Sequence, residues 1–272
     1  MPVVEFRQPT ILGRTGLKVG RLGIASGYRA PTAAIEEAFE RGCNYLTWGT
    51  FMKGRVPEMG QAIRNIVAKG QRDRLVLGMF SYAHWPSLTE RLFVRGLKDA
   101  GIDQADVLIL GYFSRPPSRR IVESALRLKE KGLARFVGLS GHNRKLFPTL
   151  CEQGAFDVFH LRYNAAHRGA ETETFPFVRC ENRPGIVAFT ATRWGQLLNP
   201  KKMPAGEAPA TARDCYRFAL SHPAVDVCMT GAKTVEQMRE NLKVLDMGTI
   251  SEEELARMRR IGDFVRSKGK TK

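Results

Sequence analysis

Long hydrophobic runs are absent from this sequence of 272 residues. Its most apolar stretch, Val107–Leu110 with its neighbours, has the length of a strand, whereas a bilayer-spanning helix needs about 20 residues. The N-terminal residues lack the basic-then-apolar order of a secretory signal. The sequence therefore predicts a cytoplasmic protein with no membrane partner.

Cysteine is scarce, and no two cysteines form a Cys-x-x-Cys pair. An odd number of scattered cysteines, without the spacing of metal ligands, argues against a disulfide framework and against a zinc site. We therefore expect no metal and interpret the cysteines as small, buried, apolar side chains. The five are Cys43, Cys151, Cys180, Cys215 and Cys228.

Acidic residues are few relative to basic ones, with 27 Asp and Glu against 43 Lys and Arg and a net charge of +16. Such a charge attracts anionic partners, among them phosphorylated cofactors, small carboxylate ligands and nucleic acids. The basic residues are spread along the chain and no nucleic-acid-binding motif accompanies them, so nucleic acid is the minor alternative. We expect a small-molecule ligand, with an anionic one as an option.

A Gly-x-Gly-x-x-Gly fingerprint is also missing after the first predicted strand, which disfavours an open dinucleotide-binding sheet. Apolar strands alternate with amphipathic helical segments, a pattern typical of parallel sheets covered on both faces. Eight such units predict an α/β fold, a (β/α)8 TIM barrel, as a single domain over 1–272. The predicted strands are Leu22–Ala25, Asn44–Thr47, Leu75–Phe80, Ala105–Gly111, Phe136–Ser140, Val158–Tyr163, Gly185–Thr190 and Val225–Met229.

An N-terminal β-hairpin that turns at 13–16 precedes the predicted barrel, and two further helices follow it. Capping boxes, in which two side chains satisfy the first backbone N–H groups of a helix, are predicted at Thr234-x-x-Gln237 and Ser251-x-x-Glu254. The predicted helices are Pro31–Arg41, Glu58–Lys69, Ser87–Ala100, Ser118–Lys131, Lys145–Gln153, Thr172–Asn182, Ala210–Leu220, Thr234–Val244 and Ser251–Val265.

Six short segments, in this order and spacing, resemble the aldo-keto reductase superfamily over nearly the whole chain. The resemblance implies a barrel that binds NADPH or NADH, reduces carbonyl compounds and carries its catalytic residues at the C-terminal ends of the strands. The segments are 12–19 (LGRTGLKV), 42–45 (GCNY), 105–110 (ADVLIL), 138–140 (GLS), 194–198 (WGQLL) and 231–242 (GAKTVEQMRENL).

The resemblance implies a nicotinamide-binding end on three strands. Ser140 matches the serine of a Ser-Asn pair, but Gly141 follows it, and His160 stands where a glutamine is usual. Phe189 matches the aromatic residue that stacks on the nicotinamide ring, and a flat apolar ring suffices for that contact. Thr190 and, in the following loop, Arg193 complete this set of expected cofactor contacts.

The resemblance places the adenosine end of the cofactor at the helix that begins near Thr234. Free backbone N–H groups at a helix N-terminus, together with Lys233, would make an anion site. Gln237 replaces an arginine that is often present in NADPH-dependent members, so the choice between NADPH and NADH stays open. The remaining expected contacts are Arg239, which adds charge, and the adenine-binding pair Glu240 and Asn241.

The catalytic tetrad of the family, Asp, Tyr, Lys and His, has no counterpart. Thr47, Met52, Phe80 and Gly111 stand at its four positions. Hydride transfer to a carbonyl leaves an alkoxide, which needs a proton donor whose pKa a neighbouring cation has lowered. Methionine, phenylalanine and glycine offer neither group, so the sequence predicts a degenerate active site.

The sequence identifies no catalytic residue, and the polar residues near the strand ends are only candidates for a substitute proton donor, namely Tyr28, His84, Tyr112 and His142. Three functions stay open. The chain is an oxidoreductase with a nonstandard proton donor, or it binds the cofactor without turnover as a sensor or partner subunit. In the third, a non-redox barrel acts on an anionic substrate that Arg115 and Arg193 attract.

Overall fold

Eight parallel strands close into a barrel in the computed structural model, which describes residues 5–51, 54–178 and 182–268. The strands follow one another around the barrel in chain order, and the last pairs with the first through Met229 and Gly23. The barrel strands are β3 (Leu22–Ala25), β4 (Tyr45–Gly49), β5 (Val76–Ser81), β6 (Ala105–Leu110), β7 (Ala134–Gly141), β8 (Val158–Arg162), β9 (Gly185–Phe189) and β10 (Val227–Thr230). The predicted (β/α)8 fold is confirmed.

Helices connect the strands because their apolar faces must be buried against the outside of the sheet. They are α1 (Thr32–Glu40), α2 (Pro57–Ala68), α3 (Pro86–Ala100), α4 (Arg119–Glu130), α5 (Leu146–Glu152), α6 (Ala170–Glu173), α7 (Ala212–Leu220), α8 (Val235–Leu242) and α9 (Glu252–Lys268). None of the described helices combines the length and the apolar character that a bilayer crossing requires.

The predicted helix Thr172–Asn182 is wrong. Helix α6 ends at Glu173, and a short 3-10 turn, Phe175–Phe177, follows it. Pro176 has no N–H group and disfavours the helical conformation of the residue before it, so the helix cannot continue through this point. The remainder of the predicted segment includes 179–181, which lie outside the described residues.

Alternate residues of each strand face the barrel interior, where Val107, Ile109 and Val187 pack together. The N-terminal hairpin, β1 (Thr10–Ile11) and β2 (Lys18–Val19), contributes side chains to the same cluster. It crosses the end of the barrel where the strands begin, since Gly185, the first residue of β9, lies directly against Leu12. The hairpin therefore closes that end, and the side chains at the other end are left to form a site.

The cysteines of the barrel and its helices are mostly buried, as expected. Burial raises the pKa of the Cys43 and Cys228 thiols to about 12 and also raises that of Cys215. Such thiols are inert as nucleophiles. Cys151 is only half-buried, and Cys180 lies outside the described residues.

Candidate functional site

Three neighbouring strands point the expected nicotinamide contacts into the open end of the barrel, called the mouth below. Ser140 on β7 pairs in register with His160 on β8, and Phe189 ends β9. Ser140 and His160 are both 1% exposed, whereas Phe189 keeps part of its ring accessible. Each residue lies an even number of positions from an interior residue of its strand. Strand side chains alternate between the two faces of a sheet, so these three also face the interior. The structure therefore brings these three side chains together.

His160 is already engaged inside the barrel. Its Nε2 lies 2.7 Å from the hydroxyl of Tyr45, and its ring meets Phe80 edge-on with centroids 5.4 Å apart. Burial lowers the pKa of His160 to about 3, so the imidazole is neutral at physiological pH. A glutamine could offer a donor and an acceptor to a ligand, but His160 has one of its two nitrogens bound to Tyr45.

The described tetrad positions form an apolar floor. Thr47 is 4% exposed, and its hydroxyl donates only a long hydrogen bond of 3.4 Å to the carbonyl of Ile24. A Cβ atom at Gly111 would lie 2.5 Å from Cδ1 and Cε1 of Tyr82 and 3.3 Å from Phe80. The ring of Tyr82 thus fills the space that a side chain at position 111 would need. Met52 lies outside the described residues.

Aromatic rings form a row across the mouth, here called the aromatic row and made of Phe80, Tyr82, Tyr112 and His142. Consecutive rings are nearly parallel, with centroids 5.5, 5.2 and 5.7 Å apart. At its end His142 meets the ring of Phe189 at 5.5 Å in an edge-to-face contact. Two of the expected donors, Tyr112 and His142, therefore belong to one stack that reaches the expected nicotinamide platform.

Tyr28 covers the start of the segment after β10, where a Cβ atom at Gly231 would lie 2.0 Å from its ring. Burial, and then the nearby Tyr112, raise the pKa of Tyr28. The same two causes raise the pKa of Tyr82. The proton donor of a reductase needs a lowered pKa, which a neighbouring cation would provide. Neither phenol is therefore activated as a proton donor.

His84 lies beside the mouth in a separate groove of about 320 Å³. Its ring packs on Phe113 with centroids 4.8 Å apart, and Arg115 and Tyr112 also line the groove. The structure thus gathers Tyr28, Tyr112 and His142 at the mouth and sets His84 in the adjoining groove.

Gly141 cannot be replaced by the usual asparagine without a shift of backbone. A Cβ atom there would lie 2.6 Å from the carbonyl oxygen of Phe113. Phe113 is held in place because its N–H donates to the carbonyl of Ser140 at 3.1 Å. Close approach of the two loops therefore excludes the second member of the Ser-Asn pair.

The start of α8 is capped by its own side chains. Thr234 accepts a hydrogen bond from the N–H of Gln237 at 3.2 Å, and the Gln237 side chain accepts from the N–H of Lys233 at 2.9 Å. The predicted box is thus half-formed, since Gln237 reaches one residue before the cap. The box at Ser251 is complete, with both bonds to Glu254.

Two charged residues of α8 have partners within the fold. Arg239 donates to both carboxylate oxygens of Glu37 at 2.8 and 3.0 Å. Glu240 forms ion pairs with Arg213 at 2.9 Å and Lys243 at 2.7 Å. These groups lie at the protein surface, where ion pairs contribute little to stability, so a ligand could compete for them.

Asn241, by contrast, is buried at 5% exposure and is bound to the end of β10. Its side-chain N–H group donates to the hydroxyl of Thr230 at 3.1 Å and to the carbonyl of Gly231 at 3.2 Å. This residue therefore holds α8 against the barrel.

The loop after β9 has an unusual backbone and an unpartnered cation. Thr190 and Arg193 adopt positive φ values of 62° and 51°, a conformation that is costly for residues other than glycine. Arg193 is only 9% exposed, and its Nη1 has no hydrogen-bond partner. Asn164 steadies the loop by donating to the carbonyl of Thr190 at 2.8 Å.

Sequence reasoning missed three residues that shape the mouth: Tyr45, Arg162 and Asn164. Arg162 carried a readable signal, because it lies two positions after His160 in the predicted strand and so faces inward. A charged residue at the inward end of a barrel strand points to function rather than packing. Tyr45 gave no such signal, since aromatic residues also suit a core.

Comparisons with known proteins agree with this architecture. The model of the Aldo/keto reductase family matches residues 205–263, which include α7, α8 and most of α9. A curated relative, an uncharacterized oxidoreductase of Bacillus subtilis (strain 168), is 21% identical over 90% of this chain and 93% of its own.

Solved structures share the barrel at low sequence identity. The holo form of an aldo-keto reductase from Bacillus halodurans is 16% identical, with a TM-score of 0.78 over 93% of this chain and 96% of its own. An aldo/keto reductase from Klebsiella pneumoniae, in complex with NADP and acetate, is 19% identical, with a TM-score of 0.77 over 93% and 95%. The chain is thus similar to aldo-keto reductases in one C-terminal segment, and it shares the barrel fold of the two solved structures.

Proposed function

We propose that the barrel mouth binds NADH or NADPH and that the chain is an oxidoreductase acting on a carbonyl compound through a nonstandard site. The observation that carries this proposal is the partly exposed ring of Phe189 beside Ser140 and His160. The NADP complex of the Klebsiella pneumoniae relative gives it further support.

The residues present fit a nicotinamide ring better than its carboxamide group. Phe189 offers an apolar face, which an aromatic ring favours by stacking. For the carboxamide, Gly141 offers no side chain and Tyr45 occupies Nε2 of His160, so Ser140 is the principal polar contact. A bound NADH or NADPH would supply the hydride, and the protein must then supply the proton.

Tyr112 is the proton donor that we favour. It is 43% exposed at the mouth and lies between Tyr82 and His142 in the aromatic row. Its φ of 57° is strained for a bulky residue, and such strain is often kept at functional sites. Because no cation of the family tetrad is present, we expect turnover about 10²–10⁴-fold slower than with a matched general acid.

A second candidate function is cofactor binding without turnover. The apolar floor at Thr47, Phe80 and Gly111 and the raised pKa values of Tyr28 and Tyr82 favour it. Turnover of a panel of aldehydes and ketones at high enzyme concentration separates the two. Activity that Tyr112→Phe abolishes supports the reductase, and saturable cofactor binding without any turnover supports the second candidate.

Titration of NADH and NADPH, followed by nicotinamide fluorescence, tests the cofactor site. We expect saturable binding, and we expect Phe189→Ala to weaken it about tenfold, because the ring loses its stacking partner and buried apolar area. Phe177→Ala removes a ring that is 62% exposed and serves as the matched control. Absence of binding by the unsubstituted protein would contradict the proposed function.

We also expect NADH to bind more tightly than NADPH. The carboxylate of Glu236 lies in the first turn of α8, and hydrogen bonds from its own N–H and from Thr234 lower its pKa. A phosphate at this helix start would face that negative charge. Glu236→Gln should strengthen NADPH binding about two- to fivefold at low ionic strength and leave NADH unchanged.

Glu253→Gln removes an exposed carboxylate from the first turn of α9 and is the control for this charge effect. If both substitutions change NADPH binding equally, the effect is one of net charge and the local explanation is wrong.

A further inference from the structure

Arginines gather at the corner of the mouth between β8 and β9. Arg162 ends β8, pairs in register with Phe189, and faces inward like His160 two positions before it. Arg193 follows four residues after Phe189, in a turn closed by its own N–H donating to the carbonyl of Thr190 at 2.9 Å. The two guanidinium groups therefore come from adjacent strand ends.

Both guanidinium groups have buried donors without partners. Nε of Arg162 and Nη1 of Arg193 are buried and make no hydrogen bond, and Arg193 is more than nine-tenths buried. Buried donors are nearly always satisfied in folded proteins, because a buried donor that loses its bond to water and gains no acceptor is unfavourable. Two such donors at one corner indicate a missing acceptor.

Further positive charge surrounds this corner. Arg144 and Arg266 lie close enough to lower the pKa of Arg162, after the larger effect of burial. Burial, and then the charge of Arg162, also lower the pKa of His167 to about 4, so this imidazole is neutral. The four arginines at this corner are Arg144, Arg162, Arg193 and Arg266. Among the described ion pairs, only Arg144 has a carboxylate partner, Glu173, at 2.8 Å.

The corner is held rigidly, as a preformed site requires. The side-chain oxygen of Asn164 accepts from the N–H groups of Ala166 and His167 at 3.0 and 2.9 Å. Helix α9 packs directly on this loop, because a Cβ atom at Gly262 would lie 2.1 Å from the carbonyl of Ala165. This contact brings Arg266, one turn later on α9, to the corner.

We propose that Arg162 and Arg193 form a binding site for the oxyanion of a small molecule, a carboxylate or a phosphate monoester. Guanidinium groups suit both, because their planar N–H donors match two oxygens of either anion. An anion would satisfy the two buried donors and offset the charge of the four arginines. These contacts alone support the anion site, and the inference does not depend on whether the protein is a reductase.

Calorimetric titration with inorganic phosphate and with malonate, at constant ionic strength, tests the site. We expect saturable binding of at least one anion, and at least about tenfold weaker binding by Arg162→Met and by Arg193→Met. Without added anion, Arg193→Met should keep or raise the melting temperature, since it removes a buried cation without a partner. Arg127→Met, which removes an exposed arginine in the last turn of α4, should change neither.

Three results would overturn the proposal: no saturable binding, equal weakening by Arg127→Met, or a lower melting temperature of Arg193→Met with unchanged anion binding. The ratio of phosphate to malonate affinity identifies the preferred oxyanion. Titration at saturating NADH adds a further test. Retained binding supports a separate site, and lost binding would also overturn the proposal, because the arginines would then hold the phosphates of the cofactor. Failure to bind NADH would contradict the proposed function and leave the anion result standing.

Discussion

Gly111→Ala should lower the free energy of unfolding by about 1–3 kcal/mol, the usual cost of overpacking. The added methyl group would lie 2.5 Å from the ring of Tyr82, which cannot move freely because it is stacked between Phe80 and Tyr112. Urea denaturation at pH 7.5 measures this loss. A larger residue, such as the histidine of the family tetrad, should cost more.

Two further variants test this explanation. Gly27→Ala should leave stability within about 0.5 kcal/mol of the parent, because no atom lies within 4 Å of the added Cβ atom. Tyr82→Ala should reduce the cost of Gly111→Ala, since the colliding ring is gone. If the cost is the same in both backgrounds, the ring is not its cause.

Acid should destabilise the protein through His160. Its pKa is about 3 in the folded chain, against an ordinary value of 6.5. Below pH 6.5 the unfolded chain binds a proton that the folded chain does not, so stability present above pH 6.5 is lost progressively as the pH falls toward 3. Between pH 7.5 and 5.0 this residue should account for a loss of about 2 kcal/mol.

Urea denaturation at the two pH values measures the slope, and His160→Gln should reduce it while keeping a hydrogen-bonding partner for Tyr45. His167, whose pKa is about 4, should account for much of the remaining slope. His84→Gln, the same substitution at an exposed position, is the control. An unchanged slope in His160→Gln would show that this histidine is not buried as a neutral group.

The barrel could be predicted from the sequence because its signal is local. Each strand is a short apolar run, each helix has apolar residues at helical spacing, and eight repeats leave few alternatives to closure. The exception was the segment with Pro176, where apolar spacing suggested a helix that the proline prevents. The complete capping box at Thr211, with Asp214, was also missed, although its side chains are close in the sequence.

The site was predictable only where the resemblance assigned a position. Ser140, His160 and Phe189 do meet at the mouth, yet their contacts depend on residues distant in the chain. Tyr45, which bonds to His160, lies 115 positions away from it. Likewise, the ring that fills the space at Gly111 belongs to another strand end. Such contacts follow from the register of the closed sheet, and no local pattern contains that register.

Among the described residues, the hairpin closes the barrel where the strands begin and leaves it open where they end. Leu12, Leu17 and Val19 fill the end opposite to Phe189. A cofactor lying on Phe189 and a second ligand above it would have to enter in that order and leave in the reverse order. Steady-state kinetics of this protein should then show an ordered sequential mechanism, in which the first ligand cannot dissociate while the second is bound.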